Sequence, residues 1–239
     1  MVLLSDKYRV QKNFLRSTRL DNNATSFDLL DNIVLHKTGV KNLKRLITGI
    51  KSGSQRAFTW TGPYGAGKSM LALFISEFLK SSKEGRESFI SHGRKTAVQN
   101  LVNSLGKLEG EWVVLTLSGE RTDPKAAISS ALSNISVNGF SHDSNEMSDT
   151  KLCESLIELS ELCTEQDGGL LLIVDEMGKY LEFAAETNGD LHIFQQIAEV
   201  FARAESSCGI LGILHQTFDA YASRIDQEKR NEWAKILGR

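Results

Sequence analysis

Proline is scarce in this 239-residue chain, with only Pro63 and Pro124, so few rigid turns and long uninterrupted helices are expected. Cysteine is scarce too. Cys153, Cys163 and Cys208 are odd in number and form no CxxC, which argues against a disulfide framework or a zinc site. Charge of one sign is missing, since 28 basic and 30 acidic side chains leave a formal net charge of −2. No overall positive field exists to draw in nucleic acid, so any such affinity must come from a local patch or a partner. Long apolar runs are absent as well. Leu170–Val174 is far below the roughly 20 residues that a membrane span needs, and Asp6, Lys7 and Arg9 interrupt the apolar start. These features fit a soluble cytoplasmic protein with reduced thiols and no membrane partner.

What is present is a four-fold alternation of strand and helix. Residues 1–24 are polar and mixed in charge, with Lys7, Arg9, Lys12, Arg16 and Arg19, and read as an arm or a short helix. Helical spacing follows at 25–36 and at 39–51, where Val40, Leu43, Leu46, Ile47 and Ile50 recur every three or four residues. Arg56–Thr61 is a strand by its β-formers, and Gly62–Ala72 is a glycine-rich turn that becomes a helix to about Leu79. A helical pattern at 85–106 precedes a second strand, Trp112–Leu117. Helices at 123–136 and 148–166 flank a polar loop, 138–148, that is expected to be mobile. Leu170–Val174 reads as a central strand buried on both faces. Helices at 178–187 and 190–206 lead to a fourth strand, Gly209–Leu214, and a polar helical tail from His215 to Arg239. This order predicts an α/β fold with a mainly parallel sheet and right-handed crossovers, with an N-terminal helical extension (1–54) beside a core (55–239).

Two stretches carry chemistry. Gly62, Pro63, Tyr64, Gly65, Ala66, Gly67, Lys68 and Ser69 satisfy GxxxxGK[ST], preceded by a strand and followed by a helix that continues with Met70. Glycines let the backbone close on a phosphate, and amide N–H groups at a helix start favour the anion. Lys68 is expected to reach the β- and γ-phosphates and Ser69 to ligate Mg²⁺. A structural glycine-rich turn with a lone lysine is the bland alternative. Second, four apolar residues lead into Asp175 and Glu176, at the strand end where open α/β sheets bind ligands. Asp175 suits magnesium, and Glu176 suits the orientation or deprotonation of a water. Helix capping by the same pair is the alternative. At the end of the fourth strand, Gln216 first and His215 second are candidates to sense the γ-phosphate. A plain strand-end turn is the other reading there.

Together, TGPYGAGKS and LLLIVDEMGKYLE resemble P-loop NTPases of the AAA+/STAND-like division, over roughly residues 55–220. The resemblance implies a three-layer P-loop fold, ATP with Mg²⁺, catalytic roles for Glu176 and Lys68, and Gly209–Leu214 as a strand inserted between the phosphate-loop and aspartate strands. QRAFTWTGPYGAGKSMLALF, DEMGKYLE and LHQTFDAYA are also similar to ATPase modules of large bacterial proteins, some of them in phage-exclusion defence. That likeness implies an oligomeric, DNA-associated assembly. Lys68 and Asp175 lie further apart than in many compact members, so 80–150 is expected to hold inserted helices. The family adds a fifth strand and a helical lid, so the chain reads as the front part of a longer protein. Arg121, Arg224, Arg230 and Arg239 are arginine-finger candidates against a surface role, and Lys179 reads as solvated or ion-paired. With no NKxD motif, ATP is favoured over GTP. The leading reading is an ATPase that drives conformational change. Alternatives are a slow nucleotide-gated switch, a small-molecule kinase, and a non-catalytic nucleic-acid module resting on residues 7–19.

Overall fold

The computed structural model describes residues 35–82, 84–86, 110, 112–187, 192–217 and 221. Within them the elements run α1 (Lys37–Ser52), β1 (Ala57–Thr61), α2 (Lys68–Lys80), β2 (Trp112–Ser118), α3 (Pro124–Ser133), α4 (Asp149–Thr164), β3 (Gly169–Asp175), α5 (Gly178–Thr187), α6 (His192–Arg203) and β4 (Cys208–Leu214). The helices expected at 25–36 and 85–106, and the tail after Tyr221, lie outside the described residues apart from a few positions. Leu35 and His36 are not helical.

All four strands pair in parallel, in the order β1-β4-β3-β2. β4 therefore separates the phosphate-loop strand from the aspartate strand, as the resemblance implies. β3 and β4 are buried at every residue, which explains why their sequences run apolar without alternation. Alternation is still present in the packing. Leu171, Ile173, Leu211 and Ile213 face α1 and α2 together with Phe58, Trp60 and Trp112. Leu170, Leu172, Val174, Ile210 and Leu214 face α3 to α6 on the other side. The result is a three-layer α/β fold.

Local chemistry sets the helix ends. Gly53 closes α1 in the left-handed conformation (φ 68°), its N–H bonded to the Ile50 carbonyl. Asp123 caps α3 by accepting from the Lys125 N–H, with Pro124 in the first turn, and Ser148 caps α4 by accepting from the Lys151 N–H. The polar connection before α4 is tied down rather than loose. His142 bridges Ser129 and Ser155 at 3.0 Å each, and Phe140 is buried. A polar composition concealed these anchors.

α1 lies close to the sheet because Gly209 leaves room for it. A Cβ there would sit 2.6 Å from Ile50 Cδ1 and Cγ1 and 3.1 Å from the Arg56 carbonyl oxygen. Gly209→Ala is expected to cost about 1–3 kcal/mol of stability through overpacking, and Ile50→Val in that background should recover part of it. Urea denaturation of the two variants and the parent checks this.

Candidate functional site

Three strands deliver the site to one edge of the sheet. β1 ends at Thr61 and runs into the glycine-rich loop, whose Gly62 N–H bonds the last carbonyl of β4, at Leu214 (3.3 Å). Gly65 (φ 76°) and Gly67 (φ 80°) both adopt the left-handed conformation that disfavours other residues. Gly67 is the N-cap of α2, so the free amide ends of α2 open onto the loop.

Lys68 folds back over this loop, its Nζ donating to the Gly62 carbonyl at 2.6 Å and the Pro63 carbonyl at 2.9 Å. Loss of solvation lowers its pKa, against the pull of Asp175, which raises it. The Ser69 hydroxyl donates to Asp175 Oδ1 at 3.1 Å, although 106 positions separate them. The Asp175 carboxyl is 3% exposed, and burial pushes its pKa up against the bonds from Ser69 and the Glu176 N–H. Two hard oxygen donors, one a buried carboxylate, fit a divalent cation whose remaining ligands are phosphate oxygens and water. Among the described residues, no group of three or more His, Cys, Asp or Glu converges on one point, so such a cation would depend on the phosphate for its ligands.

Glu176 follows directly in an unusual backbone conformation (φ 48°). The turn is fixed on both sides. The Met177 N–H bonds the Ile213 carbonyl of β4 at 3.0 Å, and the Gly119 N–H bonds the Asp175 carbonyl at 2.8 Å. The Glu176 carboxylate pairs with Lys179 one turn later and lies 3.9 Å from His215 Nε2. His215 in turn sits 3.5 Å from Lys68 Nζ through Nδ1. Burial and the neighbouring Lys68 lower its pKa, so the ring is neutral near pH 7. The outer face of His215 is stacked by Tyr64, with centroids 3.7 Å apart and planes at 17°.

Lys68, Ser69, Asp175, Glu176 and His215 thus form one contiguous set. Gly62, Pro63, Tyr64, Gly65, Ala66 and Gly67 make the loop around it, and Met70 lies in the first turn of α2. Gln216 is solvent-exposed at the rim, so of the two strand-end candidates His215 is the one in contact with the lysine. Arg121 is exposed and pairs with Glu182 at 3.5 Å and Glu186 at 3.9 Å. Arg224, Arg230 and Arg239 lie outside the described residues. Lys179 takes the ion-paired one of its two expected readings, with Glu176 as partner, and two features escaped sequence reasoning: the Tyr64–His215 stack and the fit at Gly119. A Cβ at Gly119 would fall 2.1 Å from the Glu176 carbonyl oxygen. Only that glycine, next after β2, carried any sequence signal.

No family model matches the chain, and no curated protein matches it. Among solved structures it is similar to the Aeropyrum pernix ORC2 protein. With the ADPNP-ADP complexes it shares 14% identity at a TM-score of 0.48, over 84% of this chain and 50% of that one. With the ADP form the values are 15%, 0.44, 87% and 50%. The chain spans half the length of these two neighbours.

Proposed function

We propose that the chain is an ATP-binding, magnesium-dependent ATPase module of the AAA+/STAND-like kind, which converts hydrolysis into movement within a larger assembly. The observation that carries this reading is the meeting of the phosphate-loop residues Lys68 and Ser69 with Asp175 and Glu176 at one sheet edge. The loop amides and Lys68 hold the β- and γ-phosphates. Ser69 and Asp175 would hold Mg²⁺, which screens the phosphate charge and draws electron density from the γ-phosphorus when bound. Glu176 orients the attacking water and takes its proton. His215 donates to the γ-phosphate from Nε2, a buried atom that otherwise has no hydrogen-bond partner, and its stacking on Tyr64 links that contact to the loop.

A slowly cycling switch is the second reading, favoured by the Lys179 pair that engages Glu176. Single-turnover rates separate the two. A kinase is set aside if phosphate appears without any acceptor. ATP is the expected nucleotide. A homo- or hetero-oligomeric, cytoplasmic, DNA-associated assembly in antiviral defence belongs to this proposal alone. Among the described residues, no helix is long and apolar enough to cross a membrane.

The roles at the end of β4 are testable directly. His215→Ala should lower the ATP turnover rate about tenfold or more with little change in nucleotide affinity, as expected for a contact to the transferred group. Gln216→Ala should stay within about twofold, as for an exposed residue clear of the reacting atoms. Steady-state phosphate release with titrated ATP checks both, and the reverse ranking would reassign the sensor.

A further inference from the structure

The basic segment 7–19 has been given no role so far, and it lies outside the described residues. On the helical layer that carries α3 to α6 there is an equally unassigned feature of opposite sign. A groove of about 570 Å³ runs between α4 and α6, with Cys153, Ile157 and Val200 at its floor and Glu154, Glu158 and Glu161 along one wall. Glu154 is engaged by Lys151 at 2.8 Å, and the groove's one arginine, Arg203, lies 4.0 Å from Glu199. Glu158 and Glu161 are exposed and have no cationic partner among the described residues. Burial, with the negative charge of Asp149 and Glu154, pushes the Cys153 thiol up to about 11, so the floor stays uncharged.

Periodicity matches as well as sign. Glu158, Glu161 and Glu165 recur at intervals of three and four along α4 and its C-cap. Arg9, Lys12, Arg16 and Arg19 recur at three, four and three. On a helix both sets make a single stripe one turn apart per charge. Tyr8 and Leu15, seven residues apart, border the basic stripe in such a projection, as Cys153 and Ile157 border the acidic one. A basic segment laid along α4 would pair its charges with the glutamates and set two apolar side chains on the floor.

We propose that the groove between α4 and α6 is the docking site of the chain's own basic segment, residues 7–19. About fifteen residues separate Arg19 from Leu35, a reach of roughly 50 Å when extended, and the segment belongs to this copy or to a neighbouring one. Docking occupies the basic side chains and leaves them unavailable to nucleic acid. It does not depend on the nucleotide site.

Zero-length carbodiimide coupling of the full chain, read by peptide mass spectrometry, tests this. Lys125 and Asp149, 2.6 Å apart, are an internal control for coupling in the folded protein. The expected result is a link from Lys7 or Lys12 to Glu154, Glu158 or Glu161. Mixing light and heavy isotope-labelled chains assigns it to one copy or to two, and either assignment supports the site. Arg16→Glu with Arg19→Glu leaves every coupling group in place and should reduce the link about tenfold while sparing the control; 0.5 M salt should weaken it too, because exposed pairs are screened. A control link with no link between segment and groove overturns the proposal. So does a segment–groove link whose yield ignores the charge reversal.

Discussion

Lys68→Ala is expected to weaken Mg·ATP binding by about a hundredfold or more, close to abolition at millimolar nucleotide. In the structure the ammonium is satisfied by the Gly62 and Pro63 carbonyls. A triphosphate replaces these neutral acceptors with charged ones, and charge-assisted bonds are worth roughly 1.5–3 kcal/mol each. Losing two of them amounts to about two to four decades in affinity. The substitution also removes the cation whose charge couples to Asp175 in the nucleotide-free chain. Lys68 is at the start of α2 and only partly buried, so the fold should survive, and an unchanged thermal midpoint without nucleotide is the companion measurement. Lys68→Arg should not restore binding, because a planar guanidinium does not fit a loop shaped for a compact ammonium. Fluorescent-nucleotide titration reads both binding effects, and thermal unfolding without nucleotide reads the midpoint.

Glu176→Gln is expected to leave binding within about threefold while turnover falls by about 10²–10⁴, the usual contribution of a general base. The sign of the binding effect follows from the contacts. Glu176 is paired with Lys179, so removing its charge releases a cation beside the phosphates and weakens nothing that holds them. Phosphate release under single-turnover conditions separates this outcome from a binding defect. Normal turnover in Glu176→Gln would refute the assignment of Glu176. If the wild-type chain itself turns over only rarely, the two rates converge and the switch reading is favoured.

Much of this was legible in the sequence, for identifiable reasons. The unbroken LLLIV and GILGIL runs imply strands covered on both faces, and β3 and β4 are buried throughout. Observed strand ends extend only one residue beyond the apolar runs, at Gly169 and Asp175 in β3 and at Cys208 in β4. GxxxxGKS places α2 because a glycine in the left-handed conformation must precede its first turn. The order of strands was not readable from periodicity, which is blind to neighbours, and only the family likeness pointed to β4 lying beside β1. The same blindness hid the Tyr64–His215 stack, whose members belong to different strand ends that become adjacent only through that order. Donor chemistry alone put Gln216 ahead of His215 and could not say which of the two lies beside Lys68. The exposure of Gln216 and the inward placement of His215 follow from where β4 ends against the Gly62 turn.

A crystal structure of the chain with Mg²⁺ and a non-hydrolysable ATP analogue addresses the central claim most directly. The account predicts the γ-phosphate within hydrogen-bond distance of Lys68 Nζ, the cation on Ser69 Oγ beside Asp175, and the Glu176 carboxylate facing the γ-phosphorus. A nucleotide bound elsewhere on the chain, or a phosphate loop that stays closed on Lys68 at saturating analogue, would contradict it.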